Sequence, residues 1–149
     1  MLGLILADQG KLDDALRLIT QAIKSQPKFG AYYLNRGLLH KRLNKFELAI
    51  NDLQKSIQLA PKMIQAYANL GDVYLELEQT DLAIDAYKQA IHLNPNYVNA
   101  INNLGNAYLA KEKYEKAVNC YKKVLELQVN CVEALSNKGV ALQALGRSE

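Results

Sequence analysis

The chain has 149 residues, half of them apolar and 22% charged, with a formal net charge of +3, which fits a folded chain of about one domain and excludes a disordered one. Basic residues alternate with acidic ones, as in "KEKYEK" at 111–116, a pattern of solvated helix faces that lacks the clustered cations of a nucleic-acid footprint. No apolar run approaches the ~20 residues that span a bilayer, and "MLGLILA" at the start, with no basic leader before Asp8, does not read as a signal peptide.

In chain order, the spacing of apolar residues predicts helices in pairs. First helices are expected near 1–9, 30–43, 64–77, 98–111 and 132–145, and second helices near 12–25, 46–59, 80–93 and 114–127. The pair at 64–93 shows the reasoning. Tyr67, Leu70, Gly71 and Tyr74 fall at i, i+3, i+4 and i+7, one face of a helix. A second set, Ala83, Tyr87, Ala90 and Ile91, runs up to Asn94-Pro95. Proline cannot continue a helix and pushes the residue before it out of the helical region, so the second helix stops there. Pro27 and Pro61 stand at the same place in their units. Val129 stands where a fourth proline is expected, so the last joint should be looser, or helical for longer. Neither helix of a pair is long enough to be stable alone.

The pairs recur with a fixed period. "NLGDVY" at 69–74 returns as "NLGNAY" at 103–108, and Gly3, Gly37, Gly71, Gly105 and Gly139 stand 34 residues apart with no insertion or deletion. Such a period marks a repeat array. A glycine inside a helix costs about 1 kcal/mol against alanine, so five in register imply that helices cross closely there. The expected small-residue pairs are Gly71 with Ala83, Gly37 with Ala49, Gly105 with Ala117 and Gly3 with Ala15. Tyr74 and Tyr108 should fill the space between helices.

The combination Tyr67, Leu70-Gly71, Tyr74, Ala83, Tyr87, Ala90 and Pro95 resembles the tetratricopeptide repeat (TPR), and residues 30–63 and 98–131 match it nearly as well. The resemblance covers the whole chain, 1–149, as a single TPR domain: a partial repeat at 1–29, repeats at 30–63, 64–97 and 98–131, and a half repeat at 132–149. It implies an all-α fold, a right-handed α-solenoid of antiparallel helix pairs whose first helices line a concave face. His40 in the column of Tyr74 and Tyr108, and Lys138 in the column of Leu70, depart from the pattern.

Nothing in the repeat resembles a catalytic constellation. The glycines are followed by helical apolar spacing and not by the Lys-Ser or Lys-Thr of a phosphate loop. Cys120 and Cys131, eleven residues apart, make no CxxC pair, and with His40 and His92 they give no metal-ligand spacing. The expectation is therefore no catalytic residue, no cofactor and no metal, with His40 packed in the core and His92 solvated. Two free thiols suit a reducing compartment, and a cytoplasmic location is expected.

One column does not look like packing. Asn35, Asn69, Asn103 and Asn137 stand two residues before successive glycines, off the apolar stripe. Asparagine is a mediocre helix former, but its amide pairs with both polar groups of a peptide unit. With Asp72, Asn99, Asn102 and Asn106 these residues form the expected peptide-binding set, on what the resemblance implies is the concave groove. A purely structural use of the column, in hydrogen bonds between neighbouring helices, competes with this reading. The TPR part of O-linked N-acetylglucosamine transferase carries a similar asparagine ladder. The carboxylate clamp of TPR cochaperones is not matched, since Ala68, Asp72, Asn99, Asn103 and Glu133 fill the places where it needs basic residues.

The resemblance thus implies a non-enzymatic scaffold or adaptor that binds a protein or peptide, with no nucleic-acid or membrane partner. The alternative is a substrate-recognition arm excised from a larger enzyme, such as an O-linked N-acetylglucosamine transferase-like glycosyltransferase. Helix 132–145 leaves Leu135, Leu142 and Leu145 without a second helix to cover them. Either the chain is a piece of a longer array, or another copy packs end to end on this uncapped helix.

Overall fold

The computed structural model describes residues 2–148 and shows eight α-helices among them: α1 (Leu2–Ser25), α2 (Gly30–Arg42), α3 (Phe46–Leu59), α4 (Ile64–Glu76), α5 (Thr80–Leu93), α6 (Val98–Ala110), α7 (Tyr114–Leu127) and α8 (Val132–Ser148). No strand occurs among the described residues. The chain divides into two compact units, 1–73 and 74–149, the division falling within α4.

The 34-residue period reappears as backbone geometry. Asn44, Glu78 and Glu112, one period apart, adopt the left-handed conformation with φ of 56°, 58° and 57°. At each of them the next residue's N–H reaches back five residues, from Lys45 to the His40 carbonyl, from Gln79 to Tyr74 and from Lys113 to Tyr108, at 2.8, 2.8 and 2.9 Å. This closure ties off the carbonyls of the first helix's last turn and reverses the chain into the second helix.

Gly10 occupies the same column, and here expectation fails. Separate helices at 1–9 and 12–25 were expected, but α1 runs unbroken through Gly10. Glycine fits a left-handed turn at no steric cost, yet it also sits in a helix for about 1 kcal/mol, and strong helix formers flank it on both sides. Gly3 and Ala15 consequently lie on one continuous helix and do not form the expected pair across a crossing. The missing proline at Val129 has no such effect. α7 ends at Leu127, in register with Leu59 and Leu93, and the Gln128 N–H closes onto the Val124 carbonyl at 2.7 Å.

In the first unit α2 packs on α3 through the glycine column. A methyl placed on Gly37 would lie 3.1 Å from Leu53 Cγ and 3.4 Å from the Ala49 carbonyl oxygen, and both Ala49 and Leu53 are fully buried. This unit's two proline joints are also pinned, because the Tyr33 hydroxyl donates to the Pro27 carbonyl at 2.9 Å and the Tyr67 hydroxyl to that of Pro61 at 3.1 Å.

Between α2 and α3 lies a charged cluster that the apolar pattern did not announce. Arg36 donates from Nε and Nη2 to the two carboxylate oxygens of Asp52, each at 2.8 Å, and His40 Nε2 lies 3.5 Å from the same carboxylate. His40 is buried, as expected. Its pKa is lowered, because burial penalises the imidazolium more than Asp52 attracts it, and the charges of Arg36 and Lys45 repel it. A base whose folded pKa lies below its unfolded value of about 6.5 weakens the fold as pH falls through that range. Thermal unfolding should therefore show stability falling between pH 7 and pH 5, and His40→Gln should flatten that slope.

In the second unit α5, α6, α7 and α8 pack in chain order, with α6 also touching α8. Its core is built from Ala83, Tyr87 and Ala90 of α5, Ala100 and Ala107 of α6, and Ala117, Tyr121 and Val124 of α7, all fully buried. Tyr108 is also buried, as expected, while His92 is exposed.

Candidate functional site

The four asparagines of the column sit in different surroundings. In the first unit Asn35 is exposed on α2. Asn69, half-buried on α4, donates from Nδ2 to the Gln65 carbonyl at 2.8 Å and accepts at Oδ1 from Lys41 Nζ at 3.3 Å. The same ammonium pairs with Asp72 at 3.0 Å. Lys41 thus bridges α2 to α4 and neutralises the carboxylate there. A local polar set results: one asparagine, one carboxylate and the lysine that serves both.

The second unit holds the richer cluster. Asn99, Asn102, Asn103 and Asn106 follow the i, i+3, i+4, i+7 spacing of one helix face. Asn106 is the hub. Its Oδ1 accepts from the Tyr121 hydroxyl at 2.7 Å and from Asn137 Nδ2 at 3.0 Å, and its own Nδ2 donates to Glu133 Oε1 at 3.1 Å. Three helices, α6, α7 and α8, therefore meet at one amide. Tyr121 is fully buried, and its phenol is pushed up to about 12, chiefly by burial, so the hydroxyl remains a donor across the physiological range.

Asn102 differs from the others. It is 8% exposed, and its Oδ1 has no hydrogen-bond partner in the structure. A buried acceptor left without a donor costs about 1–3 kcal/mol. On the same face Asn99 is exposed and Asn103 half-buried.

The column therefore divides. Asn137 and Asn69 are engaged in hydrogen bonds that hold neighbouring parts of the protein, the competing use considered for the column. The Tyr121 hydroxyl was missed, its only signal being a phenol in a column that packing alone would fill with phenylalanine. Cys120, beside it, has its thiol pushed up to about 11 by burial, so it carries no reactive thiolate. Among the described residues no cluster of His, Cys, Asp and Glu could hold a metal ion, and no helix is long and apolar enough to cross a membrane.

The helix-pair unit, its 34-residue turn geometry and its glycine crossings define an all-α repeat protein. Family models agree: one described as "Tetratricopeptide repeat" matches residues 1–64, and one described as "TPR repeat" matches 71–111 and 105–146. The chain belongs to the tetratricopeptide repeat family.

Among solved structures, a crystal structure of MamA superposes with a TM-score of 0.86 at 27% identity, covering 94% of this chain and 76% of that one. The first TPR of Spaghetti (RPAP3), bound to the HSP90 peptide SRMEEVD, superposes with a TM-score of 0.78 at 27% identity, covering 79% of this chain and 94% of its own. Human tetratricopeptide repeat protein 16 is 44% identical over 48 residues, and the match spans only 6% of its length.

Proposed function

We propose that this chain is a non-enzymatic protein-interaction scaffold, and that it holds an extended peptide segment by its backbone along the asparagine face of α6. The observation that carries the reading is the α6 face, where the buried, unpartnered Oδ1 of Asn102 lies among three further asparagine side chains. A turn of the Asn102 side chain would bring that oxygen to a peptide N–H of a ligand, and the exposed Asn99 amide beside it offers both a donor and an acceptor to the same backbone. The RPAP3 neighbour holds a peptide, which supports a peptide as the class of ligand. An acidic C-terminal tail suits this chain poorly, since Lys41 is already engaged by Asp72 and basic residues are missing from the clamp columns. An uncharged or mixed segment fits best.

The test is capture from a lysate with wild type beside an Asn99→Ala/Asn102→Ala variant, followed by mapping of the bound segment on a peptide array. Circular dichroism should show both proteins equally helical. The variant is expected to bind the mapped segment roughly tenfold more weakly, the loss of one or two hydrogen bonds, and backbone N-methylation of the segment should abolish binding. Equal affinity for both proteins would make the asparagines structural.

The second reading is a substrate-recognition arm of a larger enzyme. A glycosyltransferase domain in the same reading frame would decide for it. Self-association through α8 is part of the scaffold reading, since Leu135, Val140 and Leu142 are about half exposed on that helix.

A further inference from the structure

A groove of about 610 Å³ opens in the first unit between α1 and α2, with Ala15, Leu18, Ile19 and Ala22 on one wall and Leu38 and Leu39 on the other. The α1 wall is the face that every other second helix buries. Ala49, Ala83 and Ala117 stand one to three periods after Ala15 and are fully buried, as are Leu53, Tyr87 and Tyr121, the counterparts of Ile19. Ala15 and Ile19 are only half-buried, and Leu18 is 60% exposed. The reason lies in α1 itself. Because the helix runs straight through Gly10, residues 2–9 do not fold back as a first helix over residues 12–25, and the face that such a helix would cover stays open.

The complementary half stands on α8. Gly37 packs on Leu53, and Gly105 on Cys120 and Tyr121, whereas a methyl placed on Gly139 would meet nothing within 4 Å. α8 is a first helix whose glycine column is vacant, and α1 carries a second-helix face whose cover is vacant. We propose that α8 of one copy docks in the α1–α2 groove of the next, so that two copies together complete one tetratricopeptide repeat. This rests on the self-association reading and gives it an acceptor.

The register follows from the pairs already present. Leu18 and Ile19 lie three periods before Cys120 and Tyr121, so Gly139 takes the place over them that Gly105 takes within the chain. Antiparallel packing in that register sets Leu142 against Ala15. It brings Glu133 opposite Lys24 at one end and Arg147 beside Asp8 and Asp13 at the other, so both ends of the helix meet opposite charge. Gln143 falls in the column of Lys41. By the analogy of Lys41 with Asn69, its amide reaches Asn35, which lines the rim of the same groove. The contact joins two different surfaces and is heterologous, so it propagates head to tail.

Sedimentation velocity of the full chain under reducing conditions, over a concentration series, tests this with two charged variants at exposed positions. Wild type should grow in mass with concentration. Leu18→Glu blocks only the acceptor and Leu142→Glu only the donor, and each alone should raise the dissociation constant at least about tenfold, since a charge cannot enter an apolar contact unpaired. An equimolar mixture of the two retains one intact donor and one intact acceptor, so it should form dimers and stop there. Wild type that stays monomeric throughout would overturn the self-association reading itself. Assembly that Leu142→Glu abolishes but Leu18→Glu leaves intact would overturn the α1 acceptor alone, as would a mixture that stays monomeric while wild type assembles.

Discussion

Asp52→Ala should destabilise the protein by about 2–4 kcal/mol in urea titration, one of the larger losses expected from a single truncation here. The carboxylate is 8% exposed and accepts both hydrogen bonds of the Arg36 fork. Removing one partner of a buried pair leaves the other desolvated and unpaired, which typically costs 3–5 kcal/mol. Arg36 keeps 23% of its side-chain surface in water, so part of that cost is relieved by hydration. The companion variant isolates the cause. In Arg36→Leu/Asp52→Ala the stranded cation is gone, and most of the lost stability should return. If Asp52→Ala alone costs less than about 1 kcal/mol, the pair is screened like a surface ion pair.

Gly105→Leu should cost about 3 kcal/mol, and Gly105→Ala a substantial part of that. Even a methyl would stand 2.8 Å from Tyr121 Cε1 and 3.1 Å from both Tyr121 Cζ and Cys120 Cβ. The ring cannot swing aside freely, because Tyr121 is fully buried and its hydroxyl is held by Asn106 at 2.7 Å. Overpacking of this kind usually costs 1–3 kcal/mol, and the lost hydrogen bond adds to it. Gly139→Ala is the control in the same column. Nothing in its own chain lies within 4 Å of its added methyl, so in dilute, monomeric protein the gain in helix propensity should stabilise the fold by up to about 1 kcal/mol. Equal effects at 105 and 139 in thermal unfolding would mean that α6 and α7 do not cross as closely as described.

These two glycines also show what could be read from the sequence. The period placed α3, α5 and α7 at their observed bounds, because each is closed by a joint of fixed chemistry: a left-handed turn before it and a proline or an equivalent closure after it. α1 escaped because Gly10 satisfies two conformations. Only the three-dimensional packing of residues 2–25 decides between them, and spacing carries no record of it. The column of asparagines was equally plain, but their partners were not. Asn106 is met by Tyr121, Glu133 and Asn137, which lie 15, 27 and 31 residues further along the chain. A repeat pattern fixes which column such residues occupy, whereas the rotamer that aims one amide at another depends on the side chains of three helices at once. The Arg36–Asp52–His40 cluster escaped for the same reason. Each residue looks ordinary for a helix surface, and the cluster exists only because α2 and α3 lie side by side.

The order of packing has a consequence for how the protein is made. Within each unit the helices touch partners that are adjacent in the chain or skip a single element, as α2 does to reach α4 through Lys41 and α6 does to reach α8. Such a structure has low contact order, so closing its loops costs little entropy and folding is fast. Synthesis proceeds at about 5–20 residues per second, far slower than local helix pairing. α2 and α3 can therefore settle against each other while the later repeats are still emerging from the ribosome.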